Sequence, residues 1–252
     1  MNPKASAKRS VLMLMAAGLL GAATAVSAQS IYQETFNTPP GPDGTLGQFG
    51  WTATGAFGYS GTYNYTLTNA VTMQPIPNQS AVYMGNGTAG QIMGFYTVDS
   101  SNALSGFSDI SFTGNLVFGI FNQIQGGGSA ANESGYFLVQ VGGNWYASAT
   151  QIPGPVDTGT LMDPQSLTLG PGAANWITIS GIGTGTITYG STPGSDLSGP
   201  ITGAGIVFTL NDSSYSTENY ADFTISPVPE PGTIALCSLG GLGWLAFRRR
   251  HI

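Results

Sequence analysis

The chain has 252 residues, with six basic and twelve acidic side chains, a formal net charge of −6 and 38 glycines. The bases lie only at the ends, Lys4, Lys8 and Arg9 at one and Arg248, Arg249 and Arg250 at the other, so positions 29–247 carry every carboxylate and no Lys or Arg. A stretch without cations cannot neutralise phosphates, which excludes nucleic-acid binding, and the single cysteine, Cys237, excludes an intramolecular disulfide.

Residues 1–28 read as a secretory signal peptide. Lys4, Lys8 and Arg9 form a basic start, Val11–Ala25 is apolar, and Val26-Ser27-Ala28 offers the small residues that signal peptidase reads. Cleavage between Ala28 and Gln29 is expected, leaving a mature chain free of Lys and Arg as far as residue 247.

Residues 29–226 form one domain in which short β-type runs alternate with Gly, Pro, Asn and Ser clusters. Strands are expected at Ile31–Phe36, Tyr63–Thr68, Ala81–Met84, Ile92–Val98, Asp109–Thr113, Leu116–Phe121 and Gly135–Val141. Further strands are expected at Asn144–Ala149, Ser166–Leu169, Trp176–Ile179, Thr186–Tyr189, Gly205–Leu210 and Tyr220–Ser226. Gly142-Gly143 is a two-residue hairpin signal, because such turns need positive φ. Along the strand before it, Phe137, Val139 and Val141 mark an apolar face, alternating with Tyr136, Leu138 and Gln140. Loops are expected at 41–44, 126–129 and from Gln151 to Pro164, and the Gly/Thr/Ile alternation from Gly181 to Gly190 reads as a hairpin or bulge. Many short strands with frequent turns, and no helix of about ten residues or more in this region, give an all-β fold, a single β-sandwich or jelly roll.

Gln33-Glu34-Thr35-Phe36, Gly50-Trp51-Thr52, Gly143-Asn144-Trp145-Tyr146 and Ala221-Asp222-Phe223-Thr224-Ile225 resemble segments of concanavalin-type jelly rolls. The resemblance implies that the first and last strands are neighbours, which would bring Glu34 near Asp222. Another sandwich topology is the alternative.

The chemistry available to this domain is narrow. Nucleophilic triads need a base, and positions 29–247 hold neither His nor Lys. Paired carboxylates could hydrolyse glycosides, but the Glu218–Asp222 spacing departs from the Glu-x-Asp-x-x-Glu strand pattern of concanavalin-type glucanases, so no catalytic residue and no enzyme activity are expected. Asp212, Glu218 and Asp222 are oxygen donors suited to Ca²⁺, as is the loop at Asp196, yet none completes a ligand pattern, and no cofactor or metal site is expected. Trp145 and Tyr146, beside the hairpin turn, are the candidates for stacking on a sugar ring; filling the core is the competing use of large aromatics.

The last segment, 227–252, holds Val228-Pro229-Glu230-Pro231, an apolar membrane segment at 233–247 and the basic tail 248–252. Pro229 and Pro231 keep the backbone extended and present Glu230 beside the apolar run. Arg248, Arg249 and Arg250 act as a membrane stop that stays cytoplasmic, leaving the bulk of the chain on the far side. The fourteen residues Ile234–Phe247 reach about 21 Å as a helix against a hydrocarbon core of about 30 Å, so this short transmembrane helix needs arginine snorkelling or local thinning. The order and terminal position of these parts resemble the PEP-CTERM sorting signal. That resemblance implies cleavage by an exosortase near Pro229-Glu230-Pro231 and release or transfer to the cell surface or extracellular matrix. The function expected is a structural or interaction role there, as in a biofilm. The alternative is a carbohydrate-binding module or adhesin recognising surface polysaccharide.

Overall fold

The computed structural model describes residues 32–36, 45–56, 59–63, 67–69, 75–76, 81–86, 90–98, 110–125, 133–153, 161–210 and 216–228. The expected signal helix, the membrane segment 233–247 and the loops at 41–44 and 126–129 lie outside them. Among the described residues the strands are β1 (Tyr32–Glu34), β2 (Trp51–Gly55), β3 (Tyr59–Tyr63), β4 (Leu67–Asn69), β5 (Pro75–Ile76), β6 (Ala81–Asn86), β7 (Ile92–Val98) and β8 (Leu116–Gln125). They continue as β9 (Glu133–Val141), β10 (Asn144–Ser148), β11 (Leu161–Leu169), β12 (Trp176–Ser180), β13 (Thr188–Tyr189), β14 (Ile201–Leu210) and β15 (Ser216–Pro227). One sheet runs β3-β6-β15-β8-β11-β4-β5, with β1 also paired to β15, and the other runs β13-β12-β10-β9-β14-β7-β2. The described residues form an all-β sandwich, and the first and last of its strands are antiparallel neighbours, with Glu34 opposite Phe223.

Aromatic side chains from both sheets fill the space between them. Trp51, Trp176, Tyr220, Phe36, Phe95, Phe118, Phe137, Phe208 and Phe223 are essentially fully buried. Trp51 packs edge-on to Phe36 and Phe223 at ring separations of 5.2 and 5.4 Å, and Phe118 bridges Phe137 and Trp176 at 5.6 and 6.1 Å. Such pairs add about 0.5–1.5 kcal/mol each beyond area burial. The Trp176 indole donates to the Gly170 carbonyl at 2.8 Å, which satisfies its one polar atom where water is absent.

A second apolar cluster lies on the outer face of the seven-stranded sheet. It contains Leu138, Ala147, Ile179 and Val207, which alternate along their strands with the inner-core set, together with Ile187 from the segment that follows β12. The segment 181–190 covers it like a strap. Tyr189 and Thr188 pair back onto Ile179 and Ser180, the Gly183 amide donates to Thr54 Oγ1 on β2 at 2.8 Å, and Tyr189 Oη lies 3.3 Å from Thr209 Oγ1 on β14. The segment therefore spans from β12 to the far edge of the sheet.

Several boundaries differ from expectation. Leu161–Pro164 are not loop but the start of β11, where Pro164 is opposite Phe121 of β8. On its other side β11 meets β4 only at Leu161 and Met162, so a proline without an N–H is tolerated beside an open edge. The expected strand Asp109–Thr113 shrinks, within the described residues, to one bridge between Ser111 and Pro200, and the Thr113 amide turns back onto the Ser111 carbonyl at 2.9 Å. The run Tyr63–Thr68 belongs to two strands, β3 and β4.

Candidate functional site

The β9–β10 hairpin turns at Gly142 and Gly143, with φ of 58° and 79°, a left-handed pair that L side chains resist. This turn fixes the register. Asn144 is opposite Val141, Trp145 opposite Gln140 and Tyr146 opposite Val139, so the two aromatic neighbours face opposite sides of the sheet.

Trp145 takes the outer side, sharing a face with Gln140 and, one strand further, Gly203. It is half-buried, edge-on to Tyr96 at 5.3 Å and 77°. A Cβ on Gly203 would come within 2.8 Å of Trp145 Cη2, so the indole reaches across β9 to lie against bare β14 backbone.

Tyr146 takes the inner side, half-buried against the edge of the core. Its partner across the next strand pair is Thr178 on β12. The Thr178 hydroxyl donates to the Ser191 carbonyl at 3.0 Å, and the Ser191 amide lies 3.1 Å from the same oxygen. The loop 191–198 is thereby anchored at one end. At the other, the Leu197 amide donates to the Pro171 carbonyl at 2.9 Å, Leu197 is buried, and Asp196 Oδ1 accepts the Ala173 amide at 2.9 Å. Between hairpin and loop lies a solvent-open cleft of about 320 Å³, lined by Tyr146, Asn144, Thr178, Ser195, Asp196 and Ser198 among others. Tyr146 Oη has no hydrogen-bond partner among the described residues, and Asn144 makes only a 3.4 Å contact to the Gly142 carbonyl. The cleft thus offers one ring and several uncommitted polar groups. Sequence reasoning singled out Tyr146 from its place beside the turn and Asp196 as part of an oxygen-rich loop; no spacing in the sequence joins positions fifty apart.

The cleft lies at the end of the sandwich where the described chain finishes. Leu197 is bonded to Pro171, two residues beyond Leu169; Leu169 pairs with Leu116, and Leu116 pairs on its other side with Pro227.

The proposed calcium donors are not assembled by the described residues. Glu218 is opposite Met84 and Ile124 on the central strand β15, and Asp222 sits at the irregularity between Ala221 and Thr224 with φ of 54°. Asp222 Oδ1 accepts from Gln33 Nε2 at 2.6 Å, and Asp212 lies outside the described residues. Among the described residues no group of three His, Cys, Asp or Glu could hold a metal. Glu34 and Asp222 do come close through β1 and β15, but on different sides. Glu34 is 6% exposed, with Oε1 accepting the Phe36 amide at 2.9 Å. Burial pushes its carboxyl pKa up, opposed by the Phe36 and Thr35 amides and the Trp51 indole. That indole N–H makes no hydrogen bond of ordinary geometry among the described residues.

Ala28, Gln29, Pro229, Glu230, Pro231 and Arg248–Arg250 lie outside the described residues; Val228 follows β15 directly and is half-buried. Residues 227–250 match the PEP-CTERM protein-sorting motif. The sorting motif therefore begins at Pro227, the residue that closes β15. It implies an exosortase-sorted surface protein. Among the described residues no helix is long and apolar enough to cross a membrane.

No curated protein sequence matches the chain. Its fold is similar to solved structures at low identity. A Clostridium thermocellum structure of the N-terminal endo-1,4-beta-D-xylanase 10B matches at 10% identity and TM-score 0.42, over 81% of this chain and 30% of that one. An exo-beta-agarase matches at 13% and 0.45, over 82% of this chain and 25% of the other. The globular domain of T. cruzi calreticulin matches at 11% and 0.41, over 82% and 92%. This chain thus spans less than a third of the length of the first two.

Proposed function

We propose that this protein is exported, anchored transiently through 233–247, cut by an exosortase at Val228-Pro229-Glu230-Pro231 and placed on the cell surface or in the extracellular matrix, where the sandwich has a structural or interaction role. The observation that carries this reading is the sorting motif at 227–250. The charge distribution supports it: Arg248–Arg250 follow the apolar segment, and the region before it has no base to oppose export. The domain works without catalysis. No His or Lys between 29 and 247 can activate a nucleophile, and Glu34 turns into the core while Asp222 binds the exposed Gln33, so this pair of carboxylates does not flank a common substrate.

The test is the intact mass of the protein recovered from envelope and matrix, in cells with and without exosortase. A species starting at Gln29 and ending between Pro229 and Pro231, present only with the enzyme, is expected. Retention of Ile252 in both strains would overturn the proposal.

A further inference from the structure

The cleft beside Tyr146 has a composition that selects a ligand class. Its volume of about 320 Å³ is at the small end of the roughly 300–1,000 Å³ typical of small-molecule sites. Its walls are mostly polar, so a purely apolar ligand would leave Asn144, Ser195 and Asp196 without partners on desolvation. An anion is disfavoured by Asp196 and by a region of twelve carboxylates with no base. An ammonium group is served best by a cage of several rings, and the described residues give this cleft one. What remains is a neutral molecule with an apolar face and a fringe of hydroxyls. Among the described residues, Tyr146 presents a ring and a hydroxyl without a partner, and Asn144 an amide almost uncommitted. Asp196 keeps a second carboxylate oxygen while Oδ1 holds the Ala173 amide, and a carboxylate accepts strongly from hydroxyl donors.

We propose that this cleft binds a neutral sugar ring, its C–H face on Tyr146 and its hydroxyls on Asn144 and Asp196. The site is separate from the sorting motif and does not rest on it. Asp196 is exposed and Asn at that position retains the Oδ1 acceptor for Ala173, so Asp196→Asn is a variant that leaves the loop tied down. Tyr146→Ala removes the platform, and Tyr146→Phe removes only the hydroxyl.

The experiment is saturation-transfer NMR on the full chain with D-glucose, D-galactose, D-mannose and their β-linked disaccharides. D-glucuronate, sorbitol and choline serve as the anionic, open-chain and cationic comparators. Saturation of ring C–H protons in at least one neutral sugar is expected. Tyr146→Ala should weaken its binding by about tenfold or more, and Tyr146→Phe by only about threefold. D-Glucuronate should bind more weakly than glucose, and Asp196→Asn should weaken the neutral sugar while narrowing that difference. The proposal is overturned if no neutral sugar is saturated, if sorbitol or choline binds as well as the best sugar, or if binding survives Asp196→Asn unchanged. The last criterion decides the matter should Tyr146→Ala fail to fold by circular dichroism.

Discussion

Glu34 carries its carboxyl into an aromatic core, where Oε1 accepts the Phe36 amide. Because burial raises its folded pKa above the ordinary 4.5, its contribution is fully favourable below that unfolded value and is lost as pH rises through the folded one. At neutral pH the charge is a net cost. Glu34→Gln keeps the acceptor for Phe36 and removes the charge, so it should raise the melting temperature at pH 7 by about 2–4 °C for each kcal/mol gained. That gain should vanish below pH 4.5, as thermal melts at both pH values would show. At Gly203 the close approach of Trp145 leaves no room for a side chain. Gly203→Ala should cost about 1–3 kcal/mol as an overpacking change and shift tryptophan emission to the red, read from a urea titration followed by fluorescence. Neither residue is marked in the sequence. Glu34 looks like any strand carboxylate and Gly203 like any loop glycine until the register places Phe223 beside one and Trp145 over the other.

The strap at 181–190 has its own titration. Burial pushes the Tyr189 phenol up to about 12, with Tyr136 adding to the shift and Thr209 opposing it. Its share of stability is intact below pH 10.0, the unfolded value, and declines as pH rises toward about 12. Wild type should therefore lose on the order of 1 kcal/mol more than Tyr189→Phe between pH 7 and pH 11, measured as the change in urea midpoint for each. Elements were readable where local chemistry and tertiary role agree. Ile92–Val98 has the same bounds in sequence and structure because its β-branched and aromatic residues lie in a strand paired on both sides. β15 was readable only from Tyr220 onward, since Ser216–Asn219 carry no apolar signal and are strand because β6 and β8 pair with them on both flanks. The Gly181–Gly190 alternation was legible as a hairpin, but nothing local says that it crosses the sheet to Thr54, 129 residues away.

At the scale of the whole molecule, the described sandwich closes with β15 wedged between β6 and β8. A chain ending at Pro227 should melt within about 2 °C of one carrying the complete tail, whereas ending it at Ala221 should abolish the cooperative transition. Removing Phe223 and Ile225 empties the core and strips β1 of its partner; calorimetry on the two truncations distinguishes these outcomes. The sorting motif starts on the last residue of this central strand, so a cut between Val228 and Pro231 would leave every described strand whole.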